Sequence, residues 1–567
     1  MFHTFYRLYL LLLISTSSWA STPPANAIAS AHPLATAAGQ QILRQGGNAF
    51  DAAVSISAVL AVVEPYSSGI GGGGFWLLHR AQDQHQVMID GRETAPLGAH
   101  ATMYLDDSDQ PIPRLSLDGP LAAGIPGTPA ALVHIAKQYG RLPLSAALAP
   151  AIHIARDGFP IDQHYRRMAS LRLAALRQSP AATAQFLTQN NIPPLNHILR
   201  QPDLANTLQT IAEHGHAGFY QGPLAAKLVE GVQQAGGIWT LDDLAGYQVV
   251  EREPIIGHYR GHRIVSAPPP SSGGIALVQM LQMLEQLPAP ISATFKTLTP
   301  ELTTSQIHLL SEVMRRAYTD RAKHLGDPDH VDIPVATLLT PAYNQQLAAN
   351  IQGNQASRSQ PLQPISPPKG TDTTHFSILD QAGNRVSATL SINYPFGAGF
   401  VPPGTGVLLN DEMDDFSSQP GVPNAYGLVG NQANAIAPGK RMLSSMTPTF
   451  IEHDKSVAIL GTPGGSRIIS MVLLGALQAM QGASVTDWVK LPRFHHQYLP
   501  DAIQYEPGGL SSAQQTALRA KGHTLQPVSY RYGNMQAIHW DKTKGAVTAA
   551  ADPRGLGSAQ VQSMMTQ

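Results

Sequence analysis

The feature that most constrains the fold of this chain is a change in its hydrophobic pattern near residue 370. Between Pro126 and Val250 the apolar residues recur mainly at helical spacing. Residues 353–371 are rich in Gln, Ser and Pro and poor in apolar side chains, which is typical of a poorly ordered linker. Beyond it, residues 374–380 and 385–392 alternate with period two and predict paired strands. The chain is therefore predicted to have a layered α/β architecture with a break in character at the linker.

The same patterns place the individual elements. Helices are predicted at 35–43, 49–63, 129–139, 144–157, 164–187, 202–214, 223–234, 275–287, 304–325, 468–481 and 486–491. Further strands are predicted at 86–90, 407–410, 448–452 and 456–460 and within 534–551. The helix at 49–63 is apolar on most faces, so we expect it to be buried.

Composition excludes several classes of function. Lys+Arg 37 against Asp+Glu 38 gives no electrostatic reason to expect nucleic acid, and a small-molecule partner is favoured. The chain has no cysteine, which excludes disulfides, a cysteine nucleophile and cysteine-ligated zinc.

The N-terminus has the pattern of a secretory signal peptide. Arg7 precedes the apolar run at 8–14, and Ser18 and Ala20 are small residues at the −3 and −1 positions of a cleavage site. A signal peptide of 1–20 is predicted, with a cut after Ala27 as the second candidate and an uncleaved anchor as the alternative. The run is too short to span a bilayer as an ordinary helix. We therefore expect an exported protein, periplasmic or secreted, with no membrane attachment after signal removal.

Two local features have ordinary explanations when taken alone. The glycine run at 71–74 resembles a phosphate loop, but neither Lys-Ser/Thr nor a helix pattern follows it, so close backbone packing is favoured. Arg92 ends a predicted strand in a loop closed by Pro96. It could project into a site, although a surface salt bridge is the alternative.

Several motifs together resemble the γ-glutamyltranspeptidase family. They are Thr-Thr-His-Phe-Ser at 373–377, Leu-Leu-Asn-Asp-Glu-Met-Asp-Asp-Phe at 408–416, Leu-Ser-Ser-Met at 443–446 and Gly-Gly-Ser-Arg at 464–467. The glycine run, the Arg92-Glu93 loop and the segments 268–274 and 492–496 match as well. The resemblance covers essentially the whole chain after the signal. It implies a four-layer αββα sandwich of the N-terminal-nucleophile hydrolase type.

The resemblance also implies self-processing between Asp372 and Thr373. The large subunit would be 21–372, ending in a flexible segment at 353–372, and the small catalytic subunit would be 373–567. A threonine hydroxyl is a poor nucleophile at neutral pH, but a free α-amine with a pKa of about 7.7–8.0 can serve as its base. In the precursor that nitrogen is an amide, so processing is also activation.

The implied activity is γ-glutamyl transfer and glutathione hydrolysis, with Thr373 attacking the γ-glutamyl amide. Backbone N–H groups of Gly464 and Gly465 would receive the oxyanion. Ser391 stands where the family usually has a second threonine that contacts the nucleophile's amine. By resemblance, the donor's carboxylate is held by Arg92, Ser444 and Ser445, and its ammonium by Asn393, Glu412 and Asp415. The loop at 418–440 would be a lid, with Tyr426 closing over the pocket.

The expected partners are γ-glutamyl donors such as glutathione, with water, an amino acid or a dipeptide as acceptor, and no cofactor. Two alternative functions stay open: a cephalosporin (glutaryl) acylase of the same family, and an uncleaved exported protein that binds γ-glutamyl compounds. A calcium site at the acidic turn 411–415 fails the spacing of a calcium loop. The adjacent pair His495-His496 points to different sides of any regular element, so no metal is predicted. The sequence leaves open whether hydrolysis or transfer dominates.

Overall fold

The computed structural model describes residues 22–289, 291–295, 297, 301–359, 373–417, 419, 422–424 and 426–563. The predicted signal peptide, Asp372 and residues 360–371 of the predicted linker lie outside the described residues. The helices are α1 (Pro33–Arg44), α2 (Ala49–Val63), α3 (Thr128–Gln138), α4 (Leu144–Asp157), α5 (Gln163–Gln178), α6 (Pro180–Phe186), α7 (Pro202–His214), α8 (Ala217–Tyr220), α9 (Gly222–Gln234), α10 (Leu241–Ala245), α11 (Gly273–Glu285), α12 (Thr304–His324), α13 (Val335–Leu338), α14 (Pro341–Ala349), α15 (Ile468–Met480), α16 (Val485–Lys490) and α17 (Ser512–Ala520).

The described residues form eighteen strands, of which thirteen make two large sheets with antiparallel neighbours and the other five make two small sheets, β13-β14-β15 and β4-β5. They are β1 (Asn26–Ser30), β2 (Gly73–Arg80), β3 (His85–Gly91), β4 (Phe159–Pro160), β5 (Ile198–Leu199), β6 (Val250–Arg252), β7 (Ile255–Tyr259), β8 (His262–Ser266), β9 (Thr374–Leu379), β10 (Arg385–Ser391), β11 (Thr449–His453), β12 (Ser456–Gly461), β13 (Phe494–His495), β14 (Ile503–Tyr505), β15 (Leu525–Pro527), β16 (Gln536–Asp541), β17 (Ala546–Ala551) and β18 (Ser558–Gln562). The first sheet has the order β18-β1-β9-β10-β2-β3-β6, and the second has the order β17-β16-β12-β11-β8-β7.

The two sheets stack face to face between two helical layers. β9 and β10 contact β12, and β9 also contacts β16. Along β2 the side chains alternate: Trp76 and Leu78 belong to the core shared with α2, whereas Phe75 and Leu77 belong to the core shared with α11, α12 and α15. Burying each such side chain contributes about 1.5–3 kcal/mol. This arrangement confirms the predicted αββα sandwich.

Helix α2 supports the strands that carry the predicted nucleophile. All of its residues are buried, and it contacts both β9 and β10. Asn48 caps its N-terminus in a capping box with Asp51. Because the helix is apolar on most faces, it is stable only when it is buried in the core.

The structure corrects two predicted elements and the start of the predicted flexible linker, because residues 353–359 are hydrogen bonded to the rest of the protein and include the buried Ala356 and Ser359. The helix predicted at 164–187 is two helices, α5 and α6, because Pro180 cannot continue the hydrogen bonding of α5. The strand predicted at 407–410 does not form: Leu409 makes only an isolated bridge to Gly71. The side chain of Asn410 instead donates to the carbonyl oxygens of Gly71 and Gly124, 2.8 Å away in each case. Among the described residues, no helix combines the length and hydropathy needed to cross a membrane.

Candidate active site

Thr373 immediately precedes β9 at the centre of the first sheet. The antiparallel register pairs Thr374 with Leu390, so Thr373 lies opposite Ser391 at the end of β10. Facing positions of this kind bring Cβ atoms to within about 4.5–5.5 Å. The Ser391 hydroxyl oxygen accepts a hydrogen bond from the backbone N–H of Asn393 at 2.7 Å. The predicted nucleophile and its predicted hydroxyl partner are therefore neighbours.

A small cavity of about 20 Å³ brings most of the predicted site together. Its lining includes Thr373 and nine other predicted residues: Arg92, Ser391, Asn393, Glu412, Asp415, Tyr426, Ser444, Ser445 and Gly465. Gly464 adjoins the lining, and Asp372 is outside the described residues. These residues come from widely separated parts of the sequence, and the stacked sheets place them around one point.

Arg92 forms the electrostatic centre of this cavity. Its guanidinium is 2.7 Å from a carboxylate oxygen of Glu412 and 2.6 Å from one of Asp415. The side chain of Arg92 is only 1% exposed, so the salt bridges are shielded from solvent. Burial opposes the charge, but the carboxylates of Glu412, Glu93 and Asp415 outweigh it and raise the pKa of Arg92.

The carboxylates around Arg92 outnumber it. Burial raises the pKa of Glu412 to about 8, against the opposing effect of Arg92. Burial and the nearby Glu412 likewise raise the pKa of Glu93. The Glu412 Oε1 atom is buried and has no hydrogen-bond partner among the described residues. A buried acceptor without a partner is costly, so this oxygen suits a cationic group of a ligand.

The serine pair is held by the segment before α11. Ser271 forms a parallel bridge with Ser444, and Ser272 donates from its hydroxyl to the Ser444 carbonyl at 2.7 Å. Arg321, in the last turn of α12, donates to the hydroxyls of Ser272 at 3.0 Å and Ser445 at 3.3 Å. Arg321 also lines the cavity.

Sequence reasoning missed Arg321. It is one of three basic residues in the last turn of α12, where cations are common because they complement the helix dipole. Nothing in the sequence separates it from Lys323 and His324. Only the tertiary contacts distinguish it as a second cation of the site.

The Gly464-Gly465 pair begins a short 3-10 turn that leads into α15. The first N–H groups of such a turn have no partner within it, so they are available to an anion. At Gly465 the backbone φ is 56°, and a Cβ would lie 2.4 Å from the ring of Tyr426. Both observations require glycine at this position.

Tyr426 covers the cavity. Its hydroxyl donates to the backbone carbonyl of Asn393 at 2.9 Å, and its own carbonyl accepts from Gln497 at 3.2 Å. With its ring against Gly465, the tyrosine spans the mouth between two predicted parts of the site.

A second, larger cavity of about 630 Å³ also reaches Thr373. Its lining includes Glu64, the exposed side chains of Arg167 and Arg531, and Tyr530. The Thr374 hydroxyl donates to Glu64 Oε2 at 2.7 Å. Burial raises the pKa of Glu64 to about 7. Sequence reasoning did not identify Glu64, whose position after an apolar helix gives no catalytic signal.

The side chains of the acidic turn, and those of the histidine pair, are directed to different partners. Asp411 accepts from the Tyr394 backbone and Asp414 from the Ser116 hydroxyl, while Glu412 and Asp415 bind Arg92. His495 contacts Ser470 and Gln497, whereas His496 contacts Asp501.

Comparison with known proteins agrees with this geometry. A family model described as γ-glutamyltranspeptidase matches residues 35–562. The chain is 43% identical to the glutathione hydrolase proenzyme of Pseudomonas aeruginosa, over 96% of each chain. It is 40% identical to the proenzyme of the same name from Escherichia coli, over 93% of this chain and 90% of that one.

Solved structures of related enzymes also match this fold. A cephalosporin acylase from Bacillus halodurans matches with a TM-score of 0.81 at 27% identity, covering all of both chains. The γ-glutamyltranspeptidase of Helicobacter pylori matches with a TM-score of 0.55 at 40% identity, covering 58% of this chain and 92% of that one. The higher identities belong to the glutathione hydrolases and the transpeptidase rather than to the acylase. This chain belongs to the γ-glutamyltranspeptidase family of enzymes.

Proposed function

We propose that this chain is a proenzyme that cuts itself between Asp372 and Thr373 and then transfers γ-glutamyl groups from small donors such as glutathione. The products would be a large subunit of 21–372 and a small subunit of 373–567. Water, an amino acid or a dipeptide would accept the glutamyl group. The 43% identity to a glutathione hydrolase proenzyme across almost the whole chain supports this assignment.

In the cut, the Thr373 hydroxyl oxygen attacks the carbonyl carbon of Asp372. The new C–O bond replaces the C–N bond, and the nitrogen of Thr373 takes up the hydroxyl proton to become an amine. Water then hydrolyses the ester and frees the Asp372 carboxylate. The cut leaves the nucleophile with its own base.

In turnover, the Thr373 amine accepts the hydroxyl proton while the oxygen attacks the γ-amide carbon of the donor. The N–H groups of Gly464 and Gly465 would stabilise the oxyanion, and losing one such donor typically costs about 10²–10³ in rate. The proton passes to the leaving amine as its C–N bond breaks. Water or an incoming amine then displaces Thr373 from the γ-glutamyl ester. Ser391, facing Thr373 across the strand pair, would orient the amine.

The observation that carries the choice of donor is the pairing of Arg92 with Glu412 and Asp415. The α-carbon end of a glutamyl group carries one carboxylate and one ammonium. Its carboxylate can pair with Arg92, with Arg321, Ser444 and Ser445 beside it, and its ammonium with the two acids and Asn393. Each charge of the site then keeps an opposite partner, which is what a buried site requires.

The larger cavity suits the other part of the reaction. It reaches Thr373 from the side of Glu64, so a leaving amine or an acceptor amine could lie there. Arg167 and Arg531 at its exposed edge suit the carboxylate of an amino acid or dipeptide. We therefore propose that acceptors with a free carboxylate are preferred over simple amines.

A glutaryl acylase is the second candidate, and the acylase structure shares the fold. A glutaryl group lacks the ammonium, so it would leave Glu412 and Asp415 without the cation that the site is built to receive. Rates on γ-glutamyl-p-nitroanilide and glutaryl-p-nitroanilide decide between them. A higher kcat/KM on the glutaryl compound would overturn the proposal.

The cut is tested on a denaturing gel with N-terminal sequencing. The wild type should give two bands, the smaller beginning at Thr373, and Thr373→Ala should give one full-length band without activity. Thr516→Ala, on the exposed face of α17, is the matched control and should be cut normally. A single wild-type band would favour the uncleaved binding protein.

Export to the periplasm belongs to the same proposal, with the signal removed after Ala20. A cut after Ala27 would remove part of β1, where Ala27 is buried and pairs with both Leu379 and Val561. N-terminal sequencing of the large subunit from a periplasmic extract should therefore begin at Ser21. A start at Ile28 would contradict this choice.

A further inference from the structure

The last described residues of the large half, 352–359, form a strip along the surface of the protein; we call it the docking strip. Its neighbours lie on both sides of the proposed cut: α12 belongs to the large half, and Asp501 and Lys521 belong to the small half. We propose that the docking strip is a permanent clasp that holds the end of the large subunit on the small subunit after processing. This inference rests on the cut proposed above.

The first contacts of the strip come from α12. Glu312, which is fully buried, accepts from the backbone N–H of Ser357 at 3.0 Å and from its hydroxyl at 2.5 Å. Arg316 donates to the same hydroxyl at 3.1 Å and to Glu312 at 2.8 Å. His308 contacts the carbonyl of Gln352 through its Nε2 at 2.6 Å. Removing the docking strip would leave the buried Glu312 carboxylate without these hydrogen bonds, which costs free energy.

The second set of contacts comes from the small half. Asp501 accepts from the backbone N–H of Ser359 at 2.9 Å and forms an ion pair with Arg315 of α12. Lys521 donates to the Gly353 carbonyl at 2.7 Å, and its own carbonyl accepts from the Ala356 N–H at 2.7 Å. The strip thus hydrogen bonds to both halves through its backbone.

The length of chain between the docking strip and Thr373 decides which role these contacts serve. Thirteen residues, 360–372, separate Ser359 from Thr373, and releasing the strip would raise the free length to 21 residues. Because closure probability falls as roughly the 3/2 power of length, this would slow the cut only about twofold. Thirteen residues can still extend about 45 Å, enough for the new end to leave the site. The strip therefore matters for retention after the cut far more than for the cut itself.

Three of these residues also form a group that could bind a metal ion. His308, Glu312 and His523 are buried, with ligand atoms within 4.8 Å of one another. The hydrogen-bonded alternative is favoured because His308 Nδ1 lies 2.7 Å from His523 Nε2 and both Glu312 oxygens are already used by Ser357. Arg315 and Arg316 beside Glu312 would also repel a cation.

Trypsin provides the test because it cuts after Lys and Arg. The chain offers it one bond inside the docking strip, after Arg358, and one between the strip and Thr373, after Lys369. The side chain of Arg358 is exposed, so protection of its bond would report the docked backbone rather than a buried side chain. The measurement uses the full-length Thr373→Ala chain and intact mass, and it is repeated on the processed enzyme. Because the uncut variant is included, failure of processing would not obscure the result.

We expect cleavage after Arg358 to accelerate at least about tenfold in Glu312→Gln and in Ser357→Ala. The first change removes the charge that holds both the backbone N–H and the hydroxyl of Ser357, and the second removes the hydroxyl that binds Glu312 and Arg316. Glu285→Gln removes the same charge at an exposed position of α11 and should leave the rate of cleavage after Arg358 unchanged. In chains that keep Thr373, both docking variants should cut themselves at a rate within about twofold of the wild-type rate. Two results would overturn the clasp. One is that trypsin cuts the parent after Arg358 as fast as after Lys369, and the other is that neither docking variant changes the rate of the cut after Arg358. Acceleration by EDTA in the parent would overturn it in favour of a metal-held strip.

Discussion

At the scale of single residues, the site is a balance of buried charges. Arg92 and Arg321 face Glu412, Asp415 and Glu93 in a region that water hardly reaches. In such surroundings a missing partner costs more than a present partner contributes. Changes that alter one charge without altering shape should therefore report directly on how the donor is recognised.

Asp415→Asn should weaken donor recognition selectively. The amide keeps the size of the side chain but loses the charge that would face the donor's ammonium. Loss of one charge-assisted hydrogen bond of about 1.5–3 kcal/mol predicts a fall of about 10- to 100-fold in kcat/KM on γ-glutamyl-p-nitroanilide.

The glutaryl analogue should lose much less, because it offers no ammonium. Asp414→Asn is the matched control, since that carboxylate accepts from Ser116 instead. Equal losses on both donors would show that Asp415 acts on the fold rather than on the ammonium.

Because of Glu64, the free energy of unfolding should fall as the pH rises. Burial raises its pKa from 4.5 to about 7, so the folded chain retains a proton that the unfolded chain has lost. The stability that comes from this retained proton is fully present below pH 4.5, the unfolded pKa, and is lost as the pH rises through the folded pKa of about 7. The shift corresponds to about 3 kcal/mol.

Urea unfolding of the uncut Thr373→Ala chain at pH 5 and pH 8 measures this effect. Adding Glu64→Gln should remove up to about 3 kcal/mol of the decrease between the two pH values. Glu253→Gln, at an exposed glutamate, should remove none. A Glu64→Gln curve parallel to that of the parent would refute the assignment.

At the scale of elements, Tyr426 of the predicted lid lies against the turn that begins at Gly464 and Gly465. Tyr426 contacts both Gly465 and the carbonyl of Asn393, so one aromatic ring covers the predicted oxyanion site and part of the predicted ammonium site. The cavity beneath holds about 20 Å³. Substrate entry therefore requires this tyrosine to move.

Tyr426→Ala should widen the range of donors. Without the ring, the mouth can admit a glutamyl residue attached to a longer chain, so the ratio of kcat/KM for a poly-γ-glutamyl peptide to that for γ-glutamyl-p-nitroanilide should rise at least about tenfold. Tyr426→Phe keeps the ring and loses only one hydrogen bond, so its ratio should stay near that of the wild type. If Phe and Ala behave alike, the hydroxyl rather than the cover controls donor choice.

The elements also show what the sequence could predict. Regular periodicity predicted α2, α4 and α7 with their observed bounds, and motif resemblance brought Thr373, Arg92 and Glu412 into one site. The strand predicted at 407–410 was wrong because this apolar run forms a loop, which Asn410 anchors to the backbone carbonyls of Gly71 and Gly124. Arg321 and Glu64 were missed because their roles depend on contacts between distant segments, which periodicity and local motifs do not encode.

At the scale of the whole molecule, the proposed cut does not separate two domains. β1 of the large half lies between β9 and β18 of the small half, and β10 of the small half pairs with β2 of the large half. In the second sheet, β8 of the large half pairs with β11. Each half alone would expose long unpaired strand edges and both faces of its core.

The two halves should therefore fold only together. Residues 21–372 and 373–567 expressed separately should be insoluble, because each lacks strands from the interior of both sheets. In the processed enzyme, dissociation of the halves should coincide with global unfolding, because the shared sheets hold them beyond any single contact. Urea titration followed both by circular dichroism and by size-exclusion chromatography measures the two events. Halves that separate at a urea concentration where circular dichroism is still native would contradict the interleaved fold as the source of cohesion.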